Sequence, residues 1–262
     1  MLARAPSTLV GEVAIVTGAS SGIGAATARE LARRGSSVVL AARRAQALEH
    51  EAQAIRRAGG KAMVIPTDVS EPSEVTQLVT ATLATFGRVD VLINDAGASW
   101  QRAFASTSPE QVVDILGVNL LGAMLLTRAV LPAMLEQRHG AIVSVGSVSG
   151  RVAMEPIYSA TKYGLRGFSL ALRRQLAGTG VSVSLVSPGN INTAMTRHVR
   201  ARMPEPDAVA LKIAALVTRP RREVIVPPKH YAIAFLEQFA PALADYVYRW
   251  RSWSPVREEE PA

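Results

Sequence analysis

Residues 12–35, EVAIVTGASSGIGAATARELARRG, decide the fold. Four apolar and mostly β-branched residues and a threonine run into a turn with glycines at 18, 22 and 24, and a helix-forming stretch follows at once. Glycines in such a turn let the backbone bend tightly and come close to a pyrophosphate, whose charge the N–H groups of a helix N-terminus can hold. A glycine-rich turn means little by itself. Placed directly after the first strand and at the opening of the first helix, it reads as a phosphate-binding turn.

The same alternation continues outward. Six more β-branched runs follow: SSVVLAA, KAMVIPT, RVDVLIN, GAIVSVG, VSVSLVS and EVIVPP. Most are apolar almost throughout, as strands are when both faces of a parallel sheet are covered. Helical stretches lie between them, at about 22–34, 45–58, 72–86, 109–136, 156–177 and 207–218. Strand and helix alternating this way predict right-handed βαβ units and a Rossmann-type, doubly wound α/β fold with seven parallel strands. Residues 1–226 are read as one catalytic domain, with 227–262 as an apolar, aromatic segment and acidic tail extending it.

The 262 residues are 48% hydrophobic and 19% charged, enough to bury a large core. No run of about twenty uninterrupted apolar residues is present, and the N-terminus lacks a secretory pattern. A cytoplasmic location is the default. The absence of cysteine excludes disulfides and thiolate chemistry. The net charge of +8 raises the question of nucleic acid, but the arginines fall in spaced pairs (33–34, 56–57, 173–174) late in predicted helices. Cations there suit the helix dipole, so no nucleic-acid partner is expected. The four histidines (50, 139, 198, 230) lack ligand spacing, and no metal site is expected.

The second strand ends VVLAARR. An acidic residue there would bind the ribose 2′-hydroxyl of NAD; this chain has Ala42 followed by Arg43 and Arg44. Guanidinium groups bind a phosphate by charge and a planar fork of donors, so NADP(H) is preferred to NAD(H), with Ser20 adding a hydroxyl. In PIYSATKYGLRGFSLALRR (156–174), Tyr158 and Lys162 stack one turn apart at the head of a stripe continuing through Leu165, Ser169, Leu172 and Leu176. A lysine on a buried face needs a use for its charge. Lowering the pKa of a tyrosine one turn away is such a use, since a free phenol titrates near 10.

Taken together, TGASSGIG, TDVS, NDAG, the Asn119 of GVNLLG, GSVSG, YSATK and SPGNINT resemble, in this order, the motifs of the short-chain dehydrogenase/reductase family over about residues 11–226. The resemblance implies a catalytic set of Asn119, Ser147, Tyr158 and Lys162. In it Tyr158 is the acid–base group, Ser147 holds the substrate oxygen, Lys162 also holds the nicotinamide ribose, and Asn119 anchors a water chain. It further implies NADPH/NADP+ contacts at Gly18, Ser20, Ser21, Gly22, Ile23, Gly24, Arg43, Arg44, Asp68, Val69, Asn94, Ala96, Gly97, Tyr158, Lys162, Pro188, Gly189, Ile191 and Thr193.

Two features depart from the family pattern. Asp95 stands where the second Asn of N-N-A-G is usual, and only 11 residues separate Ser147 from Tyr158, with Ser149 as the alternative serine. The activity implied is hydride transfer between nicotinamide and a small-molecule ketone or secondary alcohol, with a lipophilic substrate preferred. A 3-oxoacyl-thioester reductase and a hydroxysteroid dehydrogenase are the alternatives, and a non-catalytic NADPH sensor is the rival from another class. Met154 and Met195 are candidate pocket residues. A homodimer or homotetramer on the helices at 109–136 and 156–177 is expected. Residues 230–253 pack on protein, the preferred reading, or lie peripherally on a membrane.

Overall fold

The computed structural model describes residues 8–99, 103–197 and 202–251. The leader before residue 8, His198, Trp253 and the acidic end lie outside them, as do the side chains of Arg249, Trp250 and Arg251. Seven strands form one parallel sheet: β1 (Val13–Thr17), β2 (Ser37–Ala42), β3 (Lys61–Pro66), β4 (Val91–Asn94), β5 (Gly140–Val145), β6 (Val181–Pro188) and β7 (Val224–Val226). Their order is β3-β2-β1-β4-β5-β6-β7, so the chain reverses direction across the sheet between β1 and β4. In sheets of this kind the crevice beside that reversal is where ligands bind.

The helices are α1 (Gly22–Arg33), α2 (Ala45–Arg57), α3 (Pro72–Phe86), α4 (Pro109–Leu116), α5 (Gly122–Gln137), α6 (Pro156–Gln175), α7 (Pro206–Thr218), α8 (His230–Phe239) and α9 (Pro241–Arg251). Alternate strand residues feed two cores, as the two-residue strand period requires. Ala14 and Val16 of β1 meet Leu31, Leu48 and Ile213 from α1, α2 and α7. Val13 and Ile15 meet Leu78, Leu126, Val130 and Leu172 from α3, α5 and α6. Both faces of the sheet are therefore dry, which explains strands that are apolar throughout.

The single helix expected at 109–136 is divided. A capping box starts it, with Ser108 Oγ accepting from Gln111 N (3.3 Å) and Gln111 Oε1 from Ser108 N (2.9 Å). A π-helical turn, Gly117–Leu121, then separates α4 from α5. The run Pro109–Gln137 is long and apolar enough to cross a membrane, but Leu126, Val130 and Met134 within it are core residues under the sheet. At the other end of the chain, Ile233 and Ala234 of α8 pack against Val148, Val152 and Ile225. The opposite face of α8 leaves Tyr231, Phe235 and Phe239 exposed, with the two phenylalanine rings 4.6 Å apart.

The sheet's register is tied at both ends of β1. At the start, the buried Asp90 accepts from Val13 N (2.9 Å) and bidentately from Arg88 (2.8 and 2.7 Å). At the finish, Thr17 Oγ1 donates to Ile93 O and accepts from the N–H groups of Asp95 and Ala96 at 3.0 and 3.1 Å. Asp90→Ala leaves a strand N–H and a guanidinium without their acceptor. It is expected to lower unfolding stability by about 2–3 kcal/mol, read as a lower urea midpoint at unchanged slope. An unchanged midpoint would refute the role given to Asp90.

Candidate active site

A cavity of about 1000 Å³ opens where the strands end, running from the glycine turn across the reversal point to α8. Ala42, Asp68, Asp95, Ser147 and Pro188, each at or just beyond the end of a different strand, line it. That volume is at the upper end of the range for ligand sites and leaves room for a dinucleotide and a substrate together.

At one end, Gly18 and Gly22 adopt φ of +67° and +58°, which L side chains rarely tolerate. Gly24 is needed for a different reason: a Cβ there would lie 2.5 Å from the Gly18 carbonyl oxygen and 2.8 Å from Asp95 Oδ2. The turn thus folds back onto the end of β4. Ser21 precedes α1 without capping it through its side chain, and the first turn carries no acidic residue. The helix start without a side-chain cap and its positive dipole end suit a pyrophosphate. Thr193 approaches from the far side, its Cγ2 3.4 Å from where a Gly22 Cβ would be, so the 188–193 stretch closes over the turn.

Beside the turn, Arg44 Nη2 donates to Ser20 Oγ and Ser21 Oγ at 3.0 and 2.9 Å. Arg43 is exposed, with Nη1 3.7 Å from Asp68 Oδ2. Asp68 also accepts from the Ser70 hydroxyl and amide at 2.6 and 3.0 Å. Burial pushes its carboxyl pKa up, but these donors and Arg43 outweigh it and hold the group below its usual value. Ala42, Val69, Ile23, Ala96, Gly97, Gly189 and Ile191 also line the cavity. Asn94 and Gly24 do not: Asn94 lies buried behind the wall, with Nδ2 donating to Thr127 Oγ1 at 3.2 Å.

The structure brings Ser147, Tyr158 and Lys162 together on one wall. The Ser147 hydroxyl is hydrogen-bonded to the Tyr158 phenol and also accepts from Ser149 N at 3.0 Å. This selects Ser147 over Ser149 as the partner of the tyrosine. The short approach to the helix is tied off by Ser159 Oγ, which accepts from the N–H groups of Met154 and Glu155 at 3.0 and 3.2 Å. Lys162 is buried, its Nζ donating to Val145 O at 3.0 Å and lying 5.6 Å from the Tyr158 ring centre. Asn119, in the π turn, stands off the cavity: it accepts from Ala98 N (2.7 Å) and donates to Ala98 O (2.8 Å) and Thr161 Oγ1 (3.2 Å).

The electrostatics differ from the sequence expectation in one respect. The tyrosine pKa is not lowered: burial pushes it up to about 12, against the Ser147 hydrogen bond, and the Glu155 and Asp95 carboxyls push the same way. Burial likewise lowers Lys162 to about 8, opposed by the charge of Asp95. Burial raises Asp95 to about 8, opposed by Lys162 and by the Gly24 N–H. The aspartate in the family's asparagine position is therefore electrostatically linked to the buried lysine.

Sequence reasoning missed the C-terminal contribution. Lys229, His230, Ile233 and Val247 all reach the cavity, beside Met154 and Met195. Spacing in the sequence gives His230 no metal site, yet a Cβ on Gly189 would run into its imidazole. Burial and Lys229 push the His230 pKa down, so the ring is neutral at neutral pH. The available signal was position, since His230 lies just past the end of the last strand, the side of the sheet where ligands collect. No group of three or more metal-ligating side chains occurs among the described residues.

Asp95→Asn removes the carboxyl whose charge, when ionised, raises the Lys162 pKa against burial. The lysine should then lose its proton at lower pH. The alkaline limb of kcat/KM is expected to move to lower pH. A limb that stays put or moves up would contradict this coupling.

The chain was compared with known proteins. Residues 12–204 match the family model described as short chain dehydrogenase. The ketoacyl reductase HetN of Nostoc is 37% identical, aligned over 93% of this chain and 90% of its own. Among solved structures, a variant of the actinorhodin polyketide ketoreductase with NADPH is 33% identical at a TM-score of 0.77, covering 82% of this chain and 95% of its own. A Burkholderia phymatum short chain dehydrogenase/reductase with NAD is 28% identical at 0.85, covering 89% and 95%. With the parallel sheet, the glycine turn and the Ser147–Tyr158–Lys162 wall all in place, the chain belongs to the short-chain dehydrogenase/reductase family of oxidoreductases.

Proposed function

We propose that this protein is an NADPH-dependent reductase of ketones carried on an acyl chain, with 3-oxoacyl thioesters as its substrate class. The observation that carries the cofactor choice is the end of β2. Ala42 leaves no carboxylate to repel a 2′-phosphate, while Arg43 and the Ser20–Ser21–Arg44 cluster offer guanidinium and hydroxyl donors. The substrate class is supported by the ketoacyl and polyketide ketoreductase relatives. The far wall also supports it: Met154, Met195, Ile233 and Val247 offer an acyl chain an adaptable apolar surface.

In this reading the glycine turn and α1 hold the pyrophosphate, Arg43 and Arg44 the 2′-phosphate, and Pro188–Thr193 with Lys162 the nicotinamide riboside. The bound cofactor supplies the hydride. The Ser147 hydroxyl and Tyr158 phenol converge on one point, where both can hydrogen-bond a carbonyl oxygen and polarise it. With its pKa near 12, Tyr158 is protonated at neutral pH, the form that reduction needs. As charge develops on the substrate oxygen, the phenol gives up its proton, and the Lys162 ammonium stabilises the phenolate left behind.

NADPH oxidation followed at 340 nm with a series of 3-oxoacyl thioesters and simple ketones tests this reading. Tyr158→Phe is expected to lower kcat by about 10²–10⁴-fold while NADPH still binds. A double replacement of Arg43 and Arg44 by Ala should weaken NADPH at least about tenfold and leave NADH nearly unchanged. Wild-type preference for NADH, or thioesters turned over no better than simple ketones, would overturn the corresponding half of the proposal.

A further inference from the structure

Behind the catalytic wall, outside the cavity, one carboxylate gathers donors from three separate segments. Glu223, at the entry to β7, is buried, with 5% of its side chain exposed. Arg151 grips it bidentately, Nε to Oε1 at 2.8 Å and Nη2 to Oε2 at 2.6 Å. Arg166 Nε donates to Oε2 at 3.1 Å, and Ser187 Oγ donates to Oε1 at 2.8 Å. Burial alone would raise the carboxyl pKa, but these donors outweigh it and hold Glu223 ionised.

Each donor is joined to a part of the active site. Arg151 directly follows the short turn Val148–Gly150, whose Ser149 amide is held by Ser147 Oγ. That turn presses on α6, since a Cβ on Gly150 would come within 2.7 Å of the Lys162 carbonyl oxygen. Arg166 stands four residues beyond Lys162 and eight beyond Tyr158, on the same side of α6. Ser187 immediately precedes Pro188 and Gly189 on the cavity wall. We propose that Glu223 is a positioning residue, holding the serine turn, the tyrosine–lysine helix and the 188–189 strand end in one catalytic register. Glu223 lies beyond the residues matched by the family model, which end at 204.

The physical case rests on what a buried ion pair does best. Charge-assisted, bidentate bonds are directional, so they fix geometry as well as contribute energy. A carboxylate with three donors from three elements can satisfy all of them only in one relative placement. Removing one partner leaves uncompensated charge, and the segments separate to let water in. A displacement of about 1 Å at the reacting groups costs on the order of a hundredfold in rate.

The inference rests on the roles given above to Ser147 and Tyr158, and the test separates the two. Full-length Glu223→Gln, Glu223→Asp and Arg151→Met are compared with wild type. The readouts are kcat on a 3-oxobutanoyl thioester, NADPH affinity by fluorescence, and amide hydrogen exchange. Glu223→Gln is expected to lower kcat by about 10–100-fold with NADPH affinity changed less than about threefold. Exchange should quicken together in 147–152, 156–166 and 187–190, and stay as in wild type in β1 and α1. Glu223→Asp should regain part of the rate, and Arg151→Met should loosen the serine turn alone while lowering kcat.

Wild-type kcat in Glu223→Gln, or unchanged exchange in those three segments, would overturn the proposal. So would a rate loss matched by an equal loss of NADPH-binding protein, since that marks simple unfolding. If Glu223→Gln does not fold, Arg151→Met decides the matter at the serine turn. If the wild type does not reduce the thioester, the substrate reading fails, and the exchange comparison still decides this one.

Discussion

Burying the ammonium of Lys162 costs free energy that only close polar partners can offset, and much of the site is arranged around that cost. The lysine is 4% exposed, one turn beyond the tyrosine it serves. Its hydrogen bond goes to the last carbonyl of β5, and the Asp95 carboxyl at the end of β4 opposes the fall of its pKa. Strands β4 and β5 are neighbours, so the sheet presents both partners side by side. Asp95 is held in turn by the Gly24 N–H and by its own amide's bond to Thr17. The phosphate turn, the centre of the sheet and helix α6 therefore meet at two buried titratable groups, Asp95 and Lys162.

On the proposed mechanism, this lets the tyrosine sit with a high pKa and still serve as the acid–base group. The phenol, lysine and aspartate share a poorly hydrated wall, where burial dominates each of them separately. In such a wall a proton leaving Tyr158 creates a negative charge facing a fixed positive one, with little solvent to rearrange. Asn119 contributes by shape. The π turn lets its amide face Ala98 and Thr161 at once, fixing the loop after β4 against α6.

Much of this could be read in the residues before any coordinates. The seven strands were visible because apolar runs broken by Gly mark strands covered on both faces, and the glycine turn fell at the first strand–helix junction. Tyr158 and Lys162 stood out because a cation on an apolar stripe is costly. What sequence did not disclose depends on contacts between distant segments. The π turn at 117–121 breaks a run that looks continuous, because bonds to Ala98 and Thr161, and not helix propensity, favour the extra residue. Asp95 read as a local change of charge, whereas its meaning lies with Lys162, 67 residues away. Glu223 had no motif to mark it, since its donors come from positions 151, 166 and 187.

The seating of α8 over Gly189 divides labour along the chain. The groups that handle charge and protons belong to strand ends and to α6, each fixed by bonds that tolerate little change. The far wall of the cavity, which the proposed reading gives to the rest of a substrate, is drawn in part from the segment 229–233, which adds Lys229, His230 and Ile233 after the sheet is complete. On that reading, mutations in that segment reshape what is admitted without touching the groups that handle the proton and hydride. For a lineage of such proteins, the C-terminal helices are where new substrate ranges can be tried at low risk to the chemistry.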